Sequence, residues 1–358
     1  MDTISFARGV PAPECIRVEE LADCARAAVE RDGSTVLSYG PVGGYQPLRE
    51  WIAERHGVEP GRVLVTNGSL QGIAFLAERF AGQRVLVEQP TYDRPLKILA
   101  ARGVDVTAVA MDEEGLDPDA LEQALARGPK PSLLYTIPTF QNPSGRTLTT
   151  ERRRRLVELV RDHDLLVLED DPYGLIRFEG QPPPTLLELD GGERVLYSSS
   201  FSKTIAPGLR VGYFVLPERL EHELEALAVS TYITPALLGE ATVFEFLRRG
   251  NLDANLESVR SLLHVRRDAL LEALARELPA ARWNRPEGGY FVWLELPEHT
   301  DAAVLLRRAT AAGVTFVAGE DFGGPPWSAR LAFSFVSPEQ IREGVRRLAA
   351  LVAEPVPA

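Results

Sequence analysis

Residues 197–213 read YSSSFSKTIAPGLRVGY, and this stretch decides the fold. Apolar segments flank a serine-rich loop that contains one lysine, Lys203, so we predict a strand, a loop and a second strand. Lysine rarely lies between two buried strands without a partner, and lysine amines form Schiff bases with carbonyl cofactors. The hydroxyls of Ser200 and Ser202, together with Arg210, could hold a phosphate. The loop also resembles the end of a nucleotide-phosphate loop, but the glycines that such a loop needs are missing.

Short apolar segments recur on both sides of this stretch. Seven strands are predicted, at residues 62–66, 84–88, 104–110, 132–137, 165–169, 194–198 and 210–216. Several are almost wholly apolar, which is typical of strands buried on both faces of a largely parallel sheet. Helical patterns at 70–80, 96–101 and 116–126 separate them. We therefore predict an α/β fold with a mostly parallel seven-stranded sheet and helices on both faces.

The pattern changes after about residue 235. A mostly helical stretch runs to residue 278, and short strands then alternate with helices near 302–312 and 338–352. This order predicts a smaller α+β domain at residues 246–358, beside a large domain at 36–245. Residues 1–35 are expected to form an N-terminal arm that packs on the small domain.

Two polar motifs follow predicted strands. In LLVLEDDPYG, Asp170 lies at the carboxyl end of a buried strand, where open α/β sheets bind ligands, and Tyr173 follows three residues later. A carboxylate beside a pyridinium nitrogen suits pyridoxal-phosphate chemistry, although the two aspartates could equally begin a turn. In TIPTFQNPSG, Asn142 precedes Pro143 and could direct its amide into the same cleft, but this turn signal is weak alone.

The segment VTNGSLQG, residues 65–72, passes from a strand through glycine into a helix. Gly68, Ser69 and Leu70 would then present backbone N–H groups at a helix N-terminus, which is an anion site. Asn67 also begins a glycosylation pattern, which we attribute to chance because no secretory signal is recognised.

Composition argues against several classes of function. The 358 residues carry a formal net charge of −12, which opposes binding to nucleic acid or to an anionic membrane. No apolar run reaches the roughly 18 residues of a membrane span. Two cysteines, Cys15 and Cys24, make no disulfide framework, and the five scattered histidines predict no metal site. We expect a cytoplasmic protein.

Four consecutive arginines at 152–155 have the composition of a nucleic-acid patch. They follow a threonine N-cap on a helix whose apolar side contains Leu156, Val157, Leu159 and Val160. We therefore predict that the arginines form a solvated helix face.

The motifs Asn-Pro-Ser-Gly, Asp-x-x-Tyr and Ser-x-Ser-Lys followed by arginine, in this order, resemble the fold-type I pyridoxal-phosphate (PLP) enzymes. Within them the chain resembles the class I and II aminotransferases over nearly its whole length. The likeness is strongest to the branch of 2-aminoadipate and kynurenine aminotransferases and the aminotransferase-like domain of MocR-type regulators. It implies PLP as cofactor, small-molecule amino acids and 2-oxo acids as substrates, and a homodimer with shared active sites.

The resemblance implies a role for each motif residue. Lys203 matches the lysine that carries the cofactor as a Schiff base, and Asp170 matches the carboxylate on the pyridine nitrogen. Tyr173 and Asn142 match the pair that hydrogen-bonds the phenolic oxygen, and Tyr92, in VEQPTYD, matches the ring stacked on the pyridine. The residues that match phosphate contacts are Gly68, Ser69, Leu70, Ser200, Ser202 and Arg210.

Three further residues concern the partner and the substrate. Tyr39, in LSYGPVGGYQPLRE, resembles the tyrosine given to the neighbouring subunit's phosphate. Arg330, in ARLAFSF, matches the arginine that clamps the substrate α-carboxylate in bidentate fashion. Arg8, in SFARGVPAP, replaces a glycine usual in the family at the substrate entrance. It either reads a polar distal group of the substrate or turns outward to pair with a surface acid.

The implied reaction is ping-pong transamination from an L-amino acid to a 2-oxo acid. The freed amine of Lys203 moves a proton between the substrate Cα and the cofactor, while Asp170 keeps the pyridine nitrogen protonated. Two alternatives stay open. One is another PLP reaction on the same scaffold, such as that of a lyase, cyclase, oxidase or decarboxylase in a biosynthetic pathway. The other is a transcription regulator's effector domain, which the acidic charge and the enzyme-like start of the chain oppose.

Overall fold

The structure, a computed structural model, describes residues 3–353. Its fourteen strands within that range are β1 (Ile4–Ser5), β2 (Val63–Thr66), β3 (Arg84–Gln89), β4 (Asp105–Asp112), β5 (Gly115–Leu116), β6 (Leu133–Thr136), β7 (Leu166–Asp170), β8 (Val195–Ser200), β9 (Gly212–Val215), β10 (Arg282–Trp283), β11 (Phe291–Glu295), β12 (Val314–Thr315), β13 (Val317–Ala318) and β14 (Ser328–Ala332). The α-helices of the same range are α1 (Val18–Val36), α2 (Gln46–His56), α3 (Ser69–Arg79), α4 (Asp93–Ala101), α5 (Pro118–Leu125), α6 (Thr150–Asp162), α7 (Leu186–Asp190), α8 (Glu218–Tyr232), α9 (Leu237–Arg248), α10 (Asn251–Glu277), α11 (Ala302–Ala311) and α12 (Pro338–Ala353).

Eight strands form the central sheet in the order β2-β9-β8-β7-β6-β3-β4-β5. The pairs from β8 to β4 are parallel, whereas β9 runs antiparallel to both β2 and β8. The predicted mostly parallel α/β sheet is confirmed, and its seven strands correspond to the seven longer ones. The eighth strand, β5, is antiparallel to β4 and has two residues, too few to give a periodic pattern.

The central strands are apolar because each face of the sheet is covered by its own core. Leu86, Leu134 and Val167 belong to one core, whereas their strand neighbours Val85 and Leu133 belong to the other. Successive side chains of a strand point to opposite faces, so a strand covered on both sides reads as a continuous apolar run.

A third core lies in the C-terminal part of the chain, around the antiparallel sheet β10-β11-β14-β13 and helices α10, α11 and α12. The start of the chain joins this core, because β1 pairs with β12 and Phe6 is fully buried there. Helix α1 instead packs on α9. The division into an arm at 1–35, a large domain at 36–245 and a small domain at 246–358 stays a proposal. Residues 1–2 and 354–358 of these ranges lie outside the described residues.

Several sequence features can be located directly. Cys15 and Cys24 are buried free thiols. Between residues 3 and 353, no helix is both long and apolar enough to cross a membrane. Over the same residues, no group of three or more His, Cys, Asp or Glu side chains is arranged to hold a metal ion.

The arginines of α6 do not form a uniform solvated face, and that prediction was wrong for Arg153. Its side chain is fully buried, because residue 153 shares a helix face with Leu156, Val157 and Val160 at the i+3, i+4 and i+7 spacings. The guanidinium donates hydrogen bonds of 3.0 and 2.7 Å to two backbone carbonyls of the 138–148 loop. Arg153 therefore joins α6 to the loop that contains Asn142.

Arg153 also lies 3.5 Å from the fully buried carboxylate of Glu169, so its loss leaves a buried acid without its cation. We expect Arg153→Met to lower the free energy of unfolding by about 3–5 kcal/mol, measured by urea unfolding. The matched control is Arg155→Met in the same helix, where a half-exposed pair with Glu122 contributes at most about 1 kcal/mol. Equal effects of the two substitutions would contradict this role of Arg153.

Candidate active site

A cavity of about 650 Å³ opens at the carboxyl ends of the parallel strands and is lined by both the central sheet and the C-terminal core. Such strand ends are where α/β sheets bind ligands. Twelve of the fourteen predicted site residues line it, namely Gly68, Ser69, Leu70, Tyr92, Asn142, Asp170, Tyr173, Ser200, Ser202, Lys203, Arg210 and Arg330. The fold thus brings together residues that lie up to 262 positions apart (330 − 68).

Asp170 is the last residue of β7, and its carboxylate is buried. Oδ2 accepts a hydrogen bond of 3.0 Å from the hydroxyl of Tyr135, whereas Oδ1 is buried without a hydrogen-bond partner. Burial, with the charge of the neighbouring Asp171, raises the pKa of Asp170 to about 7 against the lowering effect of the Tyr135 hydrogen bond. The unpaired oxygen can therefore accept a hydrogen bond from an N–H or cationic group within the cavity.

Lys203 follows β8 in the serine-rich loop, and its Nζ donates a hydrogen bond of 2.8 Å to the carbonyl oxygen of Gly9. Burial, together with the charges of Arg330 and Arg210, lowers the pKa of Lys203 to about 8 against the opposing effect of Asp170. An amine with this pKa is partly neutral near pH 7, so it can accept a proton as well as donate one.

One end of the cavity has the geometry of an anion site. Gly68 caps α3 at φ +89°, and a Cβ at this position would collide with the guanidinium of Arg210, so glycine is needed there. Arg210 donates a hydrogen bond of 3.2 Å to the carbonyl of Asn67, and the hydroxyls of Ser200 and Ser202 lie 2.9 Å apart. A helix N-terminus, a guanidinium and two hydroxyls together suit a phosphate.

The opposite wall contains Arg330, which lies on β14 and is 7% exposed. Its Nη1 donates to Oδ1 of Asn142 and its Nη2 to the carbonyl of Ala7, both at 2.9 Å, while Nε is buried without a partner. The guanidinium lies 4.3 and 4.8 Å from the ring centroids of Phe291 and Phe322. The guanidinium is thus fixed by aromatic packing, and its N–H groups not used by Asn142 and Ala7 could bind a carboxylate.

Two tyrosines complete the lining. Burial raises the pKa of Tyr92 to about 12 and raises the pKa of Tyr173 beyond its usual range, so both hydroxyls are neutral donors near pH 7. The ring of Tyr173 lies 5.4 Å from that of Tyr290 and 5.7 Å from that of Phe291, centroid to centroid. Tyr92 immediately precedes α4.

The other two predicted residues lie outside the cavity lining. Tyr39 is 80% exposed. Arg8 is exposed as well, with its guanidinium carbon 4.1 Å from the ring centroid of Phe335, although its neighbours Ala7 and Gly9 line the cavity. The roles implied for Tyr39 and Arg8 therefore stay predictions.

The sequence did not reveal two hydrogen-bond partners, that of Asp170 and that of Lys203. Tyr135 lies in β6, and the stretch SLLYTI does not by itself show that this hydroxyl meets Asp170 on the neighbouring strand β7. Gly9 binds Lys203 through its backbone carbonyl, which no side-chain pattern can reveal.

The sequence profile of the family described as aminotransferase class I and II matches residues 5–348. The chain belongs to this family. It is 41% identical over 355 residues to 2-aminoadipate transaminase of Thermus thermophilus (96% of this chain, 89% of the relative). It is 30% identical over 328 residues to the HTH-type transcriptional regulator YdfD of Bacillus subtilis (89% and 68%). The predicted resemblance is confirmed.

A solved structure supports the same assignment. The crystal structure of LysN, the α-aminoadipate aminotransferase of Thermus thermophilus, contains N-(5′-phosphopyridoxyl)-L-leucine and matches this aminotransferase with a TM-score of 0.93 and 38% identity. The match covers 98% of this chain and 92% of LysN. The chain is a PLP-dependent aminotransferase. The unpaired Oδ1 of Asp170 fits the N–H of a protonated pyridine, and the anion site at Gly68 fits a phosphate.

The pKa of Asp170 makes a testable link between pH and stability. Because folding raises this pKa from 3.8 to about 7, ionisation of Asp170 favours the unfolded chain. The resulting penalty on the cofactor-free protein grows from about pH 4 to pH 7 and is constant above that. We expect cofactor-free Asp170→Asn to be more stable than wild type at pH 8, by about 1–4 kcal/mol.

The measurement is denaturant unfolding from pH 4 to pH 8, with and without PLP. The difference should vanish toward pH 4, and with PLP its sign should reverse, since asparagine cannot pair with a pyridinium as an anion. A variant that is less stable than wild type at pH 8 without PLP would contradict the burial penalty.

Proposed function

We propose that this aminotransferase transfers the amino group of an L-amino acid to a 2-oxo acid, with Lys203 as the proton carrier. The observation that carries the proposal is the meeting of three groups in one cavity. These are an amine of lowered pKa on Lys203, a buried carboxylate on Asp170 with an unpaired oxygen, and the buried guanidinium of Arg330. Each of these charged groups is costly to bury alone. The amine suits the proton transfer, the carboxylate suits the cofactor ring, and the guanidinium suits the substrate carboxylate.

The cofactor would be held at both ends. When bound, PLP supplies an aldehyde that combines with amines and a ring that delocalises negative charge. Asp170 would hold the ring nitrogen protonated, Tyr92 would stack on the ring, and Tyr173 and Asn142 would donate to the phenolic oxygen. The phosphate would be bound by Gly68, Ser69, Leu70, Ser200, Ser202 and Arg210.

Substrate orientation would come from Arg330. The guanidinium of Arg330 can bind a carboxylate through two parallel hydrogen bonds. The side chain of Asn142, which accepts a hydrogen bond from Nη1, lies beside that carboxylate site. Such binding would present the substrate Cα to Nζ of Lys203. The exposed Arg8 remains a predicted contact to a distal polar group of the substrate.

The central test replaces the proton carrier. We expect Lys203→Ala to lower kcat by about 10³-fold or more, since proton transfer at the substrate Cα loses its base. The assay follows the spectral conversion of bound PLP to its amine form with a panel of amino acids, and a two-substrate assay with 2-oxoglutarate or pyruvate. Lys130→Ala, which removes an exposed lysine near Asp164, is the matched control and should keep full activity. Full turnover by Lys203→Ala would refute the proposal.

We also propose a homodimer with shared active sites. Five exposed apolar side chains support it, since single surface apolar residues are common but a contiguous group indicates an interface. They are Leu37, Tyr39, Val229, Ile233 and Leu238. These residues lie in two segments, 37–39 and 229–238. The segments lie next to each other, because the backbone N–H of Gly40 donates to the hydroxyl of Thr234 at 3.4 Å.

Mixing two defective variants tests shared sites. Tyr39→Phe weakens a phosphate contact given to the partner, and Lys203→Ala removes the proton carrier within the subunit. After exchange of equal amounts, half of the dimers are hybrids with one intact site, so the hybrids should add about a quarter of wild-type activity to the residual activity of the two parent variants. Sedimentation equilibrium gives the oligomeric state. A fully active monomer would refute the proposal.

We place the enzyme in the cytoplasm as a further proposal. The free thiols of Cys15 and Cys24 support it, because reducing compartments keep cysteines unpaired. Small-molecule amino acids and 2-oxo acids would be its substrates there.

A further inference from the structure

The loop that contains Lys203, residues 200–206, is attached to the C-terminal part of the chain by two side chains. The hydroxyl of Tyr290 donates a hydrogen bond of 3.0 Å to the carbonyl oxygen of Lys203. Nδ2 of Asn255, on α10, donates one of 2.6 Å to the carbonyl oxygen of Thr204. Two consecutive peptide groups of the lysine loop are therefore held from outside the central sheet.

Both side chains are themselves rigidly held. Tyr290 is 1% exposed, and its ring packs against Tyr173 and Phe291. Asn255 is 2% exposed, and its Oδ1 accepts a hydrogen bond of 3.3 Å from Arg17. A buried polar side chain with fixed partners can orient the group it binds at little further entropic cost.

Tyr290 directly precedes β11, which pairs with β14, the strand that contains Arg330. Its carbonyl accepts a hydrogen bond of 3.0 Å from the backbone of Phe333, which extends the β11–β14 pairing beyond Phe291. In that pairing Trp293 lies opposite Arg330. One short antiparallel ribbon thus fixes both the guanidinium of Arg330 and, through Tyr290, the backbone of Lys203.

We propose that Tyr290 is a positioning residue, which sets the placement of Lys203 relative to Arg330 by binding the lysine's own carbonyl, with Asn255 holding the next peptide. The inference rests on the proposed roles of Lys203 and Arg330. A proton carrier must approach the substrate Cα within hydrogen-bonding distance, and small misplacements lower the rate strongly. Tyr290 acts through the backbone, so it affects the proton-transfer step more than substrate affinity.

Tyr290→Phe tests this inference, since it removes the hydroxyl and keeps the ring packing. We expect kcat to fall about tenfold with KM within about twofold of wild type. In the cofactor-free protein, amide hydrogen exchange of residues 202–206 should accelerate about fivefold or more while exchange elsewhere is unchanged. Asn255→Leu should produce the same local acceleration.

The matched control is Tyr213→Phe. Tyr213 is also buried and packs its ring on the lysine loop at Phe201, but its hydroxyl pairs with His56 at 3.2 Å. It should leave both kcat and loop exchange unchanged. For Tyr290→Phe, unchanged loop exchange, a uniform acceleration over the whole chain, or kcat within twofold of wild type would each overturn the inference. The exchange readout needs no turnover, so failure of the Lys203→Ala test would refute the proposed function separately.

Discussion

Asp170 is the last residue of a buried strand. One of its carboxylate oxygens accepts a hydrogen bond from Tyr135, and the other has no partner. The groups around it are those that a buried carboxylate needs. A lone buried carboxylate is costly, so the protein must provide either a proton or a cation. The central strands provide the burial, the Tyr135 hydroxyl provides one partner, and the cavity leaves the second position to a ligand. Under the proposed function, that position would take a protonated ring nitrogen.

The charges of Arg330, Arg210 and Asp170 act together on the buried amine of Lys203. Arg330 and Arg210 lower the pKa of the Lys203 amine, and Asp170 raises it. A lysine in water would be almost fully protonated near pH 7, and burial among these cations brings it close to the pH at which it can exchange protons. The two arginines therefore also lower the pKa of the lysine amine that lines the same cavity.

Most of the sheet was predictable because burial on both faces leaves a strong apolar signal, as at residues 165–169 and 194–198. The place of the twelve residues in one cavity was predictable because short motifs mark most of them, and a family resemblance implies roles for them. Arg153 was assigned wrongly, since a run of four arginines suggests solvent unless its helical spacing is followed residue by residue. Tyr135 and Tyr290 depend on which strands become neighbours, and a single sequence does not contain that information.

An early strand of the chain pairs with a strand from its C-terminal part. β1 at Ile4–Ser5 lies beside β12 at Val314–Thr315, and the segment between β1 and Val10 supplies the carbonyls that bind Lys203 and Arg330. During synthesis the central sheet is complete once residue 215 has emerged, whereas the partner of β1 emerges about a hundred residues later. β1 is therefore made before the central sheet but reaches its own partner strand only after that sheet is complete. The carbonyls that bind Lys203 and Arg330 are therefore held in place only after the segment around residue 314 has emerged.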